Sequence, residues 1–156
     1  MLRDPSLVPL SRQHQHALAL CVQLERALQA GAVDCGQWHS ELHQLYANEV
    51  QFHFAAEENT LFPAARRYSE LAGLIDELTG EHERLREYFV HAGHGAMSAA
   101  DLAVFAKLLS GHIRKEERQL FEALQRKMRP EELQSLGNDL AQALRDAVQV
   151  CRLRQP

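Results

Sequence analysis

Apolar residues recur along this chain at spacings of three and four, and alternating apolar and polar runs are nearly absent, so the pattern predicts helices and no sheet. Ala17, Leu20, Cys21, Leu24, Ala27 and Leu28 line one stripe of a first helix, capped by Ser11 and stopped near Gly31. Asp34 opens a long second helix with Leu42, Leu45, Tyr46, Phe52, Leu61 and Phe62 inward, which Pro63 kinks or ends because proline has no backbone donor. A third runs from about Ser69 to Ala92, where Gly93, His94 and Gly95 break it, and a fourth from about Ser98 through Arg126. Pro130, Glu131 and Glu132 suit the first turn of a fifth, shorter helix carrying Leu133, Leu136, Leu140, Leu144 and Val148. Long amphipathic helices with short breaks predict one all-α domain over residues 1–156, an up-and-down antiparallel four-helix bundle over about 10–126 with an additional C-terminal helix over about 130–150.

One phrase is written twice on these helices. His53 to Phe62 and His112 to Phe121 both read H-x-x-x-E-E-x-x-L-F. Residues four apart share one helix face, so His53 with Glu57, and His112 with Glu116, can each reach one inward point. Leu61 and Leu120 continue the same stripes, which places both carboxylates in a core. Buried carboxylates are costly unless protonated or neutralised, and a cation between them is the natural neutraliser.

Two residues in an antiparallel hairpin stand side by side when their midpoint falls in the turn. The midpoint of His53 and His82 lies between Arg67 and Tyr68, that of His82 and His112 at Met97, and that of His14 and His53 between Val33 and Asp34, each in a predicted turn. One histidine per helix therefore lands at one level. His14 is preferred to His16 because the two lie about 200° apart around the helix, so both cannot point inward equally. His39 and His43 fall well below this level and read as polar residues at the far end. His91 and His94 read as surface or capping residues, and Tyr46 as a core aromatic. Four histidines and two carboxylates suit two first-row metal ions sharing carboxylate bridges, iron before zinc or manganese. The ferritin-like arrangement is excluded because no E-x-x-H occurs.

On these residues the chain resembles the hemerythrin-like family, whose HHE domains show H, then H-x-x-x-E, then H, then H-x-x-x-E on successive helices. The resemblance implies a non-haem di-iron centre, oxo- or hydroxo- and carboxylate-bridged, with His14, His53, His82 and His112 as terminal ligands and Glu57 and Glu116 as bridges. It also implies binding of dioxygen or a related small ligand, in oxygen, iron or redox sensing or buffering. Two departures stand out. The oxygen carriers of the family have a further histidine where this chain has Arg86, and they place the second carboxylate where this chain has Glu117. Glu116 is preferred because it mirrors Glu57. A pocket dried by Leu18, Leu61, Phe62, Leu85, Phe89, Leu120 and Phe121 is expected beside an iron with an incomplete shell. The alternatives are a di-iron oxidoreductase acting on peroxide or nitric oxide, and a metal-free helical interaction module.

Composition narrows the setting. A net charge of −4 and no basic run longer than Arg66-Arg67 argue against nucleic acid. No apolar run approaches the roughly 20 residues of a membrane span. The N-terminal segment, interrupted by Pro5 and Pro9, is not expected to be a signal peptide. Cys21, Cys35 and Cys151 are odd in number and far apart, as expected of buried reduced thiols in a cytoplasmic protein.

Overall fold

The computed structural model describes the backbone of residues 2–153 and the side chains of residues 2–146. Among the described residues there are five helices and no strand. The first, α1, is Val8–Gln29. It begins one turn before the expected Ser11 cap, because Leu7 and Leu10 are buried and Pro9 sits in the first turn, where its missing N–H would have no partner in any case. The Ser11 hydroxyl instead donates to Glu117 at 2.7 Å.

The second helix, α2, spans residues 35–65 and is capped by Asp34, which accepts from the Gln37 N–H at 3.1 Å. Two π-turns interrupt it, Tyr46–Val50 and Glu57–Leu61. Each takes in one extra residue and advances the register by one. An uninterrupted α-helix would carry the stripe of Leu42 and Leu45 on to Glu49 and Phe52; the first π-turn hands it to Val50 and His53. Phe52 is therefore only half-buried, and Phe54 takes the core place expected for it. The helix also continues past Pro63 to Ala65. The second π-turn, in which the Phe62 N–H returns to the Glu57 carbonyl, rearranges the backbone ladder just where Pro63 has no donor.

The 3₁₀ turn Ser69–Leu71 leads into Ala72–Gly93, together α3 (residues 69–93). Gly95, with φ of 65°, follows its end in the left-handed conformation that glycine adopts without strain. The fourth helix, α4 (residues 99–127), opens on a reciprocal cap between Ser98 and Asp101 and contains a third π-turn, Glu116–Phe121. The fifth, α5, is Pro130–Leu153; it buries Leu133, Leu136 and Leu140 and leaves Leu144 half-buried. The side chains of Val148 and Cys151 lie outside the described residues.

Helix α1 packs along α4, α2 along α3, α3 along α4, and α5 across the C-terminal half of α2. Two apolar clusters result. One gathers Leu10, Leu61, Phe62, Ile75, Leu78, Leu120 and Phe121 with the buried face of α5. The other gathers Cys21, Leu24, Leu42, Leu85, Phe89, Phe105 and Leu109. Along α1, α3 and α4 the change from one cluster to the other falls at His14, at His82 and between Ile113 and Leu120, so a polar layer is held between two dry ones. Tyr46 stacks on Phe89 with centroids 4.8 Å apart, and His39 meets the Met97 backbone at the far end, both as expected. Cys21 is buried, and burial raises its thiol to about 12; Cys35 is only half-buried. Among the described residues no helix is long and apolar enough to cross a membrane.

Candidate metal centre

The polar layer brings all six predicted residues together. His14, His53, Glu57, His82, His112 and Glu116 are each no more than 5% exposed. His14 Nε2 lies 2.9 Å from His53 Nε2, and His82 Nε2 lies 3.1 Å from His112 Nε2. The two carboxylates connect these pairs. Glu57 turns Oε1 toward His53 at 3.2 Å and Oε2 toward His82 at 3.3 Å. Glu116 turns Oε2 toward His14 at 3.1 Å and Oε1 toward His112 at 3.2 Å. The ligand atoms of His14, His53, Glu57 and Glu116 lie within 4.8 Å of one another, as do those of Glu57, His82, His112 and Glu116. Both carboxylates open a π-turn, Glu57–Leu61 and Glu116–Phe121, so the doubled phrase encodes a doubled irregularity at the centre.

Each imidazole is held from outside by its Nδ1. His14 Nδ1 donates to Glu117 at 2.7 Å and His82 Nδ1 to Glu58 at 2.8 Å. His53 Nδ1 donates to Gln13 Oε1 at 2.7 Å and His112 Nδ1 to Glu81 at 2.9 Å. Ionised carboxylates and the Gln13 amide oxygen only accept, so these contacts put a ring proton on Nδ1 and aim Nε2 inward. The outer carboxylates have cations of their own: Arg3 at 2.6 Å from Glu117, Arg86 at 2.8 Å from Glu58, and Lys115 on Glu81. Arg86 thus points away from the centre, with its guanidinium over the Phe54 ring. Glu117 faces outward and Glu116 inward. His16 is exposed against Glu49, outside the cluster.

Sequence reasoning passed over Gln13, Glu58, Glu81 and Arg3. A signal for Glu58 was present, because the second glutamate of the doubled phrase recurs as faithfully as the first. Gln13 and Glu81 also share a position, each immediately before the inward histidine of its helix.

The electrostatics follow from this crowding. Burial lowers His14 and His112, but Glu116 and the outer carboxylates outweigh it and raise them to about 9 and about 10. Burial and mutual repulsion push Glu57 upward, yet His53 and His82 hold it below its ordinary value. Burial likewise opposes ionisation of Glu116, and His112 and His14 hold it well below. All four oxygens of Glu57 and Glu116 are buried without a hydrogen-bond partner. Four imidazole Nε2 atoms and four orphaned carboxylate oxygens thus converge, and the charge of the two buried carboxylates must be balanced there by protons on the imidazoles or by cations, an arrangement that suits metal ions.

Beside His14, His53 and His112 lies a cavity of about 20 Å³, lined also by Gln13, Ala17, Glu49, Val50, Phe54, Leu109 and Ile113. None of the seven apolar residues expected to dry the pocket lines it. They pack in the flanking clusters, because the cavity opens where α1 presents alanine rather than a long side chain.

Residues 8–124 match the hemerythrin family, described as the Hemerythrin HHE cation binding domain. No curated protein and no solved structure matches the chain. With that match across most of its length, and with buried histidine and glutamate groups that can hold a metal at its centre, the chain belongs to the hemerythrin family of HHE cation-binding domains.

Proposed function

We propose that this chain is a cytoplasmic di-iron protein built on an up-and-down four-helix bundle, which binds dioxygen or a related small ligand in oxygen, iron or redox sensing or buffering. His14 and His53 would hold one ion, His82 and His112 the other, and Glu57 and Glu116 would bridge them. The observation that carries this reading is the convergence of imidazole Nε2 atoms and orphaned carboxylate oxygens in a buried layer. When bound, the two ions supply redox-active Lewis-acid positions for a small ligand. The chain does the rest. Glu58, Glu117, Gln13 and Glu81 fix the ring orientations, and the apolar clusters exclude bulk water. The cavity beside His14 and His53 has room for about one water-sized or diatomic molecule.

Oxidoreductase chemistry on peroxide or nitric oxide stands second. In the cavity lining, Glu49 is the one ionisable side chain besides the histidines, and it is engaged by His16 at 3.2 Å. Among the described residues no acid besides Glu49 lines the ligand space, which favours binding over turnover.

Metal analysis of purified protein with absorption spectra under nitrogen, oxygen and peroxide tests the reading. The expected result is two irons per chain and a charge-transfer band that responds to the added ligand, both lost in His53→Ala. Substoichiometric iron after anaerobic loading would overturn it.

A further inference from the structure

The site has an internal pseudo-symmetry that relates α1 and α2 to α3 and α4. It pairs His14 with His82, His53 with His112, Glu57 with Glu116, and Glu58 with Glu117. Most contacts obey it: the inner distances nearly match, and His14 and His82 both donate outward to a carboxylate paired with arginine. Two features break it.

The first is the acceptor behind the other histidine pair. His53 donates to the neutral amide oxygen of Gln13, whereas His112 donates to the carboxylate of Glu81. Lys115 and, through it, Glu77 flank Glu81, but its oxygen on His112 is still that of an ionised acceptor. A carboxylate behind an imidazole makes the inner nitrogen a stronger donor to a metal than an amide does. Counting outer partners, the His14 and His53 position has one carboxylate behind it, and the His82 and His112 position has two.

The second is packing. Leu85 stands three residues after His82, fully buried, where α1 has Ala17 three residues after His14. The Phe54 ring stacks on His82 with centroids 3.8 Å apart, at the place where the other half has Ile113. The cavity lies beside His14 and His53 and also touches His112 and Phe54; Ala17 and Ile113 form part of its wall, and Leu85 is not among its lining residues.

Resting on the metal-centre reading above, we propose that the two metal positions are unequal by construction. The His82 and His112 position is the tighter one, the His14 and His53 position is the weaker, exchangeable one, and the Gln13 and Glu81 pair sets the difference in affinity. Gln13 and Glu81 act as positioning residues, through His53 and His112.

Anaerobic titration with iron(II) against a competing chromophoric chelator tests this, with circular-dichroism melts to establish that each variant is folded. The wild-type chain should bind two ions in steps separated by about 10- to 100-fold, the usual effect of one outer-shell partner. His53→Ala should keep the tighter step and His112→Ala only the weaker. Gln13→Glu, which exchanges an amide NH2 for an oxygen, should strengthen the weaker step by about tenfold and leave the tighter one in place. Glu81→Gln should weaken the tighter step by a similar factor, and the double exchange Gln13→Glu with Glu81→Gln should invert which histidine variant loses the tighter step. Two wild-type sites of equal affinity would overturn the inference. So would a Gln13→Glu protein whose steps are unchanged, or a double exchange that preserves the original order. If the wild-type chain binds fewer than two ions, the metal-centre reading itself falls; if it binds two with the wrong order, only the inequality does.

Discussion

Removing the metal should destabilise this protein, and more so at high pH than near neutrality. An ion present at 100 times its dissociation constant stabilises a folded chain by about 2.7 kcal/mol, so two ions contribute about 5 kcal/mol. For a chain of this size each kcal/mol is worth about 2–4 °C in Tm, which gives a fall of about 10–20 °C on complete chelation. The pH dependence comes from what replaces the cations. In the metal-free state protons on the buried imidazoles balance Glu57 and Glu116, and these carboxylates with Glu81 and Glu117 raise His14 to about 9 and His112 to about 10, against an ordinary 6.5. A folded value raised above the unfolded one contributes stability that is fully present below pH 6.5 and is lost as pH climbs through 9 to 10. That loss is on the order of a few kcal/mol for two buried histidines. Protons also compete with metal at the lower pH, which shrinks the effect of chelation there further. Melts followed by circular dichroism, with and without chelator, at pH 6.5 and pH 9.5 measure both parts. An identical Tm after verified demetallation, or a larger fall at pH 6.5 than at pH 9.5, would refute the reasoning.

Three further outcomes follow from particular contacts. Glu116→Gln should abolish stoichiometric binding of the second ion, whereas Glu117→Gln, which among the six central residues reaches only the outer nitrogen of His14, should weaken metal binding by about 10- to 100-fold; equal effects in a metal titration would contradict the inward and outward assignment. Ala17→Leu should fill the cavity beside His14 and His53 and slow small-ligand uptake while two metals remain bound, and an unchanged stopped-flow rate would show that the cavity is not the ligand space. Gly137→Ala would place a Cβ 2.5 Å from Ser6 Cβ and 2.7 Å from Ser6 Cα, displacing the segment that carries Arg3. A loss of about 1–3 kcal/mol in urea denaturation is expected, and no loss would mean that this close approach does not constrain the N-terminus.

The sequence by itself determined the helices, their order and the level at which four histidines and two glutamates meet. That information is local and additive: apolar periodicity places the inward faces, an i,i+4 spacing puts His53 beside Glu57 and His112 beside Glu116, and the turn positions place the helices against one another in level. Tertiary structure decided the rest. The π-turns at Tyr46–Val50 and Glu57–Leu61 depend on what packs against them, so the stripe passes to His53 and Phe54 where plain helical counting favours Phe52. The choice between Glu116 and Glu117 follows from the third π-turn together with Arg3 and Ser11, which come from α1 and the segment before it and hold Glu117 outward. Sequence places Arg86 four residues after His82, and only the contact with Glu58 across the interface of α2 and α3 shows it turned away from the centre. The cavity depends on the difference between Ala17 and Leu85, two residues unremarkable in their own helices. Their roles differ because each helix packs the same layer from an opposite side.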